Sequence, residues 1–90
     1  MMNRRFFRAE TNRRLWINSV RKYGPVLFFA RSPTPSHAVG LFPAPSPPKV
    51  DHLFSAVLQE GVRFWAFSSA SQRDKFVADF GEAQPCENPL

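Results

Sequence analysis

The sequence predicts an α+β domain, a small split βαβ (ferredoxin-like) antiparallel sheet with an additional C-terminal helix. Three observations point there. An aromatic, β-favouring run at 62–68 passes through paired serines into a short amphipathic stretch ending at Gly81. The succession of helix, glycine and apolar strand at 15–31 recurs at 53–68, so the chain reads as strand-helix-strand twice, followed by a third helix. Ninety residues make one domain, and ten Phe with two Trp supply the apolar surface that so short a chain needs. The domain is expected to span residues 1–81, with 82–90 a disordered tail.

In chain order, RRFFRA at 4–9 reads as a first strand with Phe6 and Phe7 on opposite faces. Thr11 or Asn12 caps a helix running to Tyr23, in which Leu15, Trp16, Val20 and Tyr23 recur at helical spacing and the arginines take the outer face. Gly24 ends it and Pro25 cannot continue it, so VLFFAR at 26–31 follows as a strand buried on both sides. An alternative reading makes 14–31 a hairpin about Lys22–Pro25. SPTPS is a turn, His37–Phe42 a short edge strand weakened by Gly40, and PAPSPP a stiff connector. Ser46 with Pro47 and Pro48 opens a helix in which Val50, Leu53, Phe54, Val57 and Leu58 form one face, closed by Gly61.

In the strand VRFWAFS, Val62, Phe64 and Ala66 point one way and Arg63, Trp65 and Phe67 the other. Ser69 and Gln72 stand at capping-box spacing. Phe76, Val77 and Phe80 form the apolar stripe of the last helix, and Gly81 stands where a left-handed cap is needed.

The net charge of +5 is unevenly spread. Residues 1–31 carry eight basic side chains against Glu10, a net of +7, and the remainder carries four basic against six acidic, a net of −2. A basic N-terminal third attracts an anionic partner. The expected binding face comprises Arg4, Arg5, Arg8, Arg13, Arg14, Arg21 and Lys22, with Trp16 and Tyr23 as anchors, because Trp, Tyr and Arg dominate interface hot spots. The expected function is non-enzymatic binding of an acidic protein or nucleoprotein complex, as an adaptor or inhibitor-type accessory protein of the kind found in viruses and mobile elements. The alternative is direct binding of RNA or single-stranded DNA, in which the arginines neutralise phosphates and aromatic faces stack on bases, at about 1 to 3 kcal/mol per base. A homodimer closed by surplus aromatic surface is a further possibility.

The stretch GVRFWAFSSASQRDKFVADFG resembles the third strand and second helix of RNA-recognition-motif domains, in which an aromatic strand runs through two small polar residues into a helix. That resemblance implies base stacking by Trp65 and Phe67 and backbone contact by Arg63; the residues themselves favour Trp65 and Phe67 lying beneath a helix, because fully buried strands read as continuously apolar. It covers less than a quarter of the chain and lacks the family's glycine inside the strand, and this strand falls fourth rather than third among the expected strands.

Other chemistries find little footing. His37 and His52 form no metal-ligand pair, Asp51 does not share a helix face with His52, and Cys86 has no partner for an internal disulfide. The four glycines mark helix ends and turns, leaving no phosphate-binding loop. No cofactor or metal is expected. Pro45 and Pro48 have PxxP spacing, but a stiff connector explains them. No apolar run reaches the roughly 20 residues of a membrane span, and the Arg-rich start lacks the features of a secretion signal. A cytoplasmic, membrane-free protein is expected.

Overall fold

The computed structural model describes residues 9–34 and 52–90. They comprise α1 (Ala9–Tyr23), β1 (Phe28–Pro33), β2 (Phe54–Gln59), β3 (Val62–Phe67), α2 (Ala70–Asp79) and β4 (Gln84–Cys86). The strands form one antiparallel sheet in the order β2-β3-β1-β4. The α+β class is as expected, but the arrangement inside it differs. Arg4, Arg5, Arg8 and the rest of the strand expected at 4–9, apart from Ala9, lie outside the described residues, as do His37–Phe42 and PAPSPP.

Helix α1 carries Glu10 in its first turn and Arg21 and Lys22 in its last, which suits the helix dipole. Gly24 closes it at φ 105°, donating its N–H to the Val20 carbonyl at 3.0 Å. After Pro25 the chain enters β1, two residues later than VLFFAR suggested, and runs on through Ser32 and Pro33.

The largest correction concerns residues 54–59, which are strand rather than helix. Their apolar residues fit a helical stripe, yet Phe54, Ala56 and Leu58 also recur every second residue and share one face of the sheet. Glu60-Gly61 then makes a two-residue turn, with Gly61 at φ 85°, into the strongly β-favouring VRFWAF. A hairpin with a local turn and a partner strand outcompetes an isolated amphipathic helix. The apparent internal repeat disappears with it. Strand β3 is now the third strand of the described residues.

One split βαβ unit remains. Strands β3 and β4 flank β1 and are both antiparallel to it, so they run parallel to each other, and α2 connects them. The C-terminal helix is this crossover, not an addition to the sheet. Ser69 caps it as expected, its Oγ accepting from the Gln72 N–H at 3.1 Å. The Gln72 side chain turns instead to the Ser68 hydroxyl, which donates to Oε1 at 3.0 Å. Phe80 is the C-cap in extended conformation, and Gly81 does not adopt a positive φ, so the left-handed cap expected there is not used.

The helices lie on opposite faces of the sheet. On the α1 face, Trp16 packs with Phe29, Leu58, Phe64 and Ala66. On the α2 face, Phe76 packs with Ala30, Trp65, Phe67 and Ala83. The tail expected to be disordered is part of the structure. Cys86 pairs opposite Phe29 in β4, Ala83 is buried, and the Trp16 indole N–H donates to Asn88 Oδ1 at 2.9 Å. An edge strand needs only one neighbour, so a short segment containing Pro85 can serve.

Candidate partner-binding face

Because α1 lies against the edge strand β2, its inner stripe is narrow. Trp16 occupies that stripe and is 1% exposed, with ring centroids 5.0 Å from Phe54 and 5.7 Å from Phe29. It is a core residue and leaves the set of expected anchors. Tyr23 stays in it: the ring is 46% exposed while stacking on Phe54 at 5.6 Å, with Lys22 Nζ 5.7 Å from its centroid.

Arg13, Arg14, Arg21 and Lys22 are all exposed. Among the described residues none of them makes an ion pair; both ion pairs, Arg73–Asp74 and Lys75–Asp79, are on α2. Exposed large apolar side chains collect in the same segment: Leu15, Ile17, Tyr23 and Val26, with only Leu90 elsewhere among the described residues. Helical spacing puts Ile17 beside Arg13, Arg14 and Arg21, three or four residues away. Neither signal alone is unusual on a surface. Their coincidence on one helix is the distinctive feature.

The alternative row on β3 has no free aromatic face. Trp65 is 5% exposed and Phe67 fully buried, with centroids 4.8 and 5.3 Å from Phe76. The Trp65 indole N–H donates to buried Ser32 Oγ at 2.9 Å, and His52 meets the ring edge-on at 4.9 Å. Arg63 lies 5.9 Å from the Trp65 centroid and donates from Nη1 to Ser55 Oγ at 2.9 Å. Base stacking by Trp65 and Phe67, as the RNA-recognition-motif resemblance implied, would require α2 to leave. A continuously apolar strand is the signal that both faces are covered.

A groove between α1 and the outer edge of β2 escaped the sequence reading, since it depends on residues 54–59 being a strand. It holds about 240 Å³, with Asn12, Leu15 and Ser19 on the helix side and Arg63 closing the far side. Asn12 Nδ2 donates to the Val57 carbonyl at 2.8 Å across it. A second hollow of about 200 Å³, at the end of β1 and β3, is lined by charges of both signs, Arg31 and Glu82.

His52 is exposed, and no cluster of three or more metal-ligating side chains occurs among the described residues. Burial pushes the Cys86 thiol pKa up, partly offset by the charges of Arg31 and Arg73, which weakens it as a nucleophile at neutral pH. No described helix is long and apolar enough to cross a membrane. The chain matches no protein-family model, no curated protein and no solved structure, so the likeness of residues 61–81 to RNA-recognition motifs rests on those residues alone.

Proposed function

We propose that this chain is a non-enzymatic binding protein, an adaptor or inhibitor-type accessory protein whose α1 engages an acidic protein or nucleoprotein partner. The observation that carries the reading is the coincidence on α1 of four exposed cations, free of ion pairs among the described residues, with exposed Leu15, Ile17 and Tyr23. Cations at the surface steer an acidic partner into place, and apolar groups between them supply contact that survives salt. A surface built only for phosphate would not need the apolar component. The strand order β2-β3-β1-β4 supports a ferredoxin-like scaffold beneath that helix, with residues 34–53 as the connection from β1 to β2.

Fluorescence anisotropy tests the reading with four labelled probes: a Glu-rich amphipathic peptide, single-stranded RNA, single-stranded DNA and duplex DNA, each at low and near-physiological salt. The peptide is expected to stay bound at the higher salt and to be lost from an Arg13→Glu, Arg14→Glu double variant that melts like the parent. Nucleic-acid binding is expected to fade as salt rises. Tight nucleic-acid binding at the higher salt, with no peptide binding, would overturn the reading in favour of direct nucleic-acid recognition.

A further inference from the structure

The two edges of the sheet are protected unequally. Strand β4 is three residues long with Pro85 at its centre, which leaves little for another strand to pair with. Strand β2 is six residues long, FSAVLQ, and contains neither charge nor proline. Among the described residues its guards are Asn12, whose amide reaches the Val57 carbonyl from α1, and a register irregularity between Val57 and Gln59 near its end. Backbone groups in a strand alternate in direction, so the N–H and carbonyl of Ser55 face the same open side as that carbonyl. Among the described residues nothing bonds the Ser55 peptide groups from that side.

We propose that the groove along this edge is a strand-addition site for an extended peptide segment of alternating apolar and acidic residues. The claim rests on the acidic-partner reading above and names the part of the partner that docks. A strand laid beside β2 projects successive side chains to opposite faces. One set meets Leu15 and Ser19 of α1; the other meets Arg63. Arg63 spends one donor on Ser55 Oγ, and its planar fork has others to offer a carboxylate. The groove lining includes this cation and no carboxylate, so charge complementarity favours acidic side chains on the face of the added strand that meets Arg63. Main-chain bonds to β2 supply affinity and the alternation supplies specificity.

The probe is a short labelled peptide of alternating valine and glutamate, with a scrambled peptide of the same composition and a version N-methylated at alternate amides as comparators. Anisotropy gives affinity and amide NMR shifts give location. The alternating peptide is expected to bind best and to move the Ser55 and Val57 amides. Arg63→Gln is expected to weaken it about tenfold, the scale of a charged hydrogen bond. Leu15→Asp, at an exposed position that does not threaten folding, is expected to weaken it as well. Equal binding of the N-methylated peptide, or unmoved Ser55 and Val57 amides, would overturn the proposal. Shifts confined to Arg14, Ile17 and Arg21 would overturn the groove while leaving the acidic-partner reading standing; no binding of any acidic probe would sink both. A protein that sediments as a dimer with its Ser55 amide already protected would assign the edge to a second copy and overturn the proposal too.

Discussion

The two helices flank the same sheet but are attached to it by different means. Helix α2 is the crossover between β3 and β4, so the chain itself holds it down at both ends. Its Phe76 is 1% exposed against Trp65 and Phe67, and its charges balance: Arg73 and Lys75 against Asp74 and Asp79. Helix α1 packs on the edge strand, inserts a single fully buried large side chain, Trp16, and carries four cations against Glu10. One helix spends its side chains on the fold. The other spends most of them on the outside, which is where a partner can find them.

The largest effect expected from this contrast is at Phe76. Phe76→Ala leaves a cavity between Trp65 and Phe67 and should cost about 3 to 5 kcal/mol, a large share of a small domain's stability. Chemical denaturation measures it; a loss below about 1 kcal/mol would mean that α2 does not hold its face as described. Next comes Ser69→Ala, which removes the side-chain acceptor of the Gln72 N–H at the start of the same helix and should cost about 1 kcal/mol. Neither change should alter binding at α1 beyond the loss of folded protein.

The same contrast explains which parts of the molecule were legible in the sequence. Helix α2 could be read because its signals are local: Ser69 at the cap and Phe76 and Phe80 in the stripe. Gly24 marked the end of α1 equally well. The burial of Trp65 and Phe67 followed from a strand apolar on both faces. Strand β2 was misread because its apolar residues fit both periods, and the arbiter, a Glu-Gly turn before a strong strand, is also a plausible helix end. Strand β4 carries no pattern at all, since three residues paired with a strand more than fifty positions away leave no local trace. Leu15 and Trp16 are consecutive in α1 and about 100° apart around its axis, and which of them turns inward depends on where the sheet lies. The groove beside β2 was illegible for the same reason, as it exists only between two elements distant in sequence.

On the α1 face, the tail supplies a contact that can be broken without touching the helix. Asn88→Ala leaves the Trp16 indole N–H without its acceptor and should cost about 1 kcal/mol. Cys86, half-buried in the same cluster, reports the local consequence. Its thiol pKa is raised by burial, so at neutral pH the thiolate fraction is smaller in the folded than in the unfolded chain. The thiol's contribution to stability is present below the unfolded pKa and lost as pH rises through the folded one. Iodoacetamide should therefore modify Cys86 slowly in the parent and faster in Asn88→Ala. Ser69→Ala, on the other face, should leave that rate nearly unchanged. Equal acceleration by both would show that the two faces open together.

The smallest effect is the difference between two arginines of the same type on the two helices. The Arg73 side chain is 19% exposed, donates from Nη1 to the Phe29 carbonyl at 3.1 Å and lies 5.9 Å from the Phe28 ring centroid. Arg73→Ala gives up a bond to a buried strand's backbone and should cost about 1 kcal/mol. Arg14 is exposed and, among the described residues, has no ion-pair partner, so Arg14→Ala should stay within about 0.5 kcal/mol of the parent. Binding should rank them in the opposite order, with Arg14→Ala weakening the acidic peptide and Arg73→Ala leaving it unchanged once corrected for folded fraction. Paired melting and anisotropy curves on these two variants test the division of labour with one chemical change. If both arginines move stability and affinity together, the helices are not separate in role, and the basic face belongs to the fold as much as to a partner.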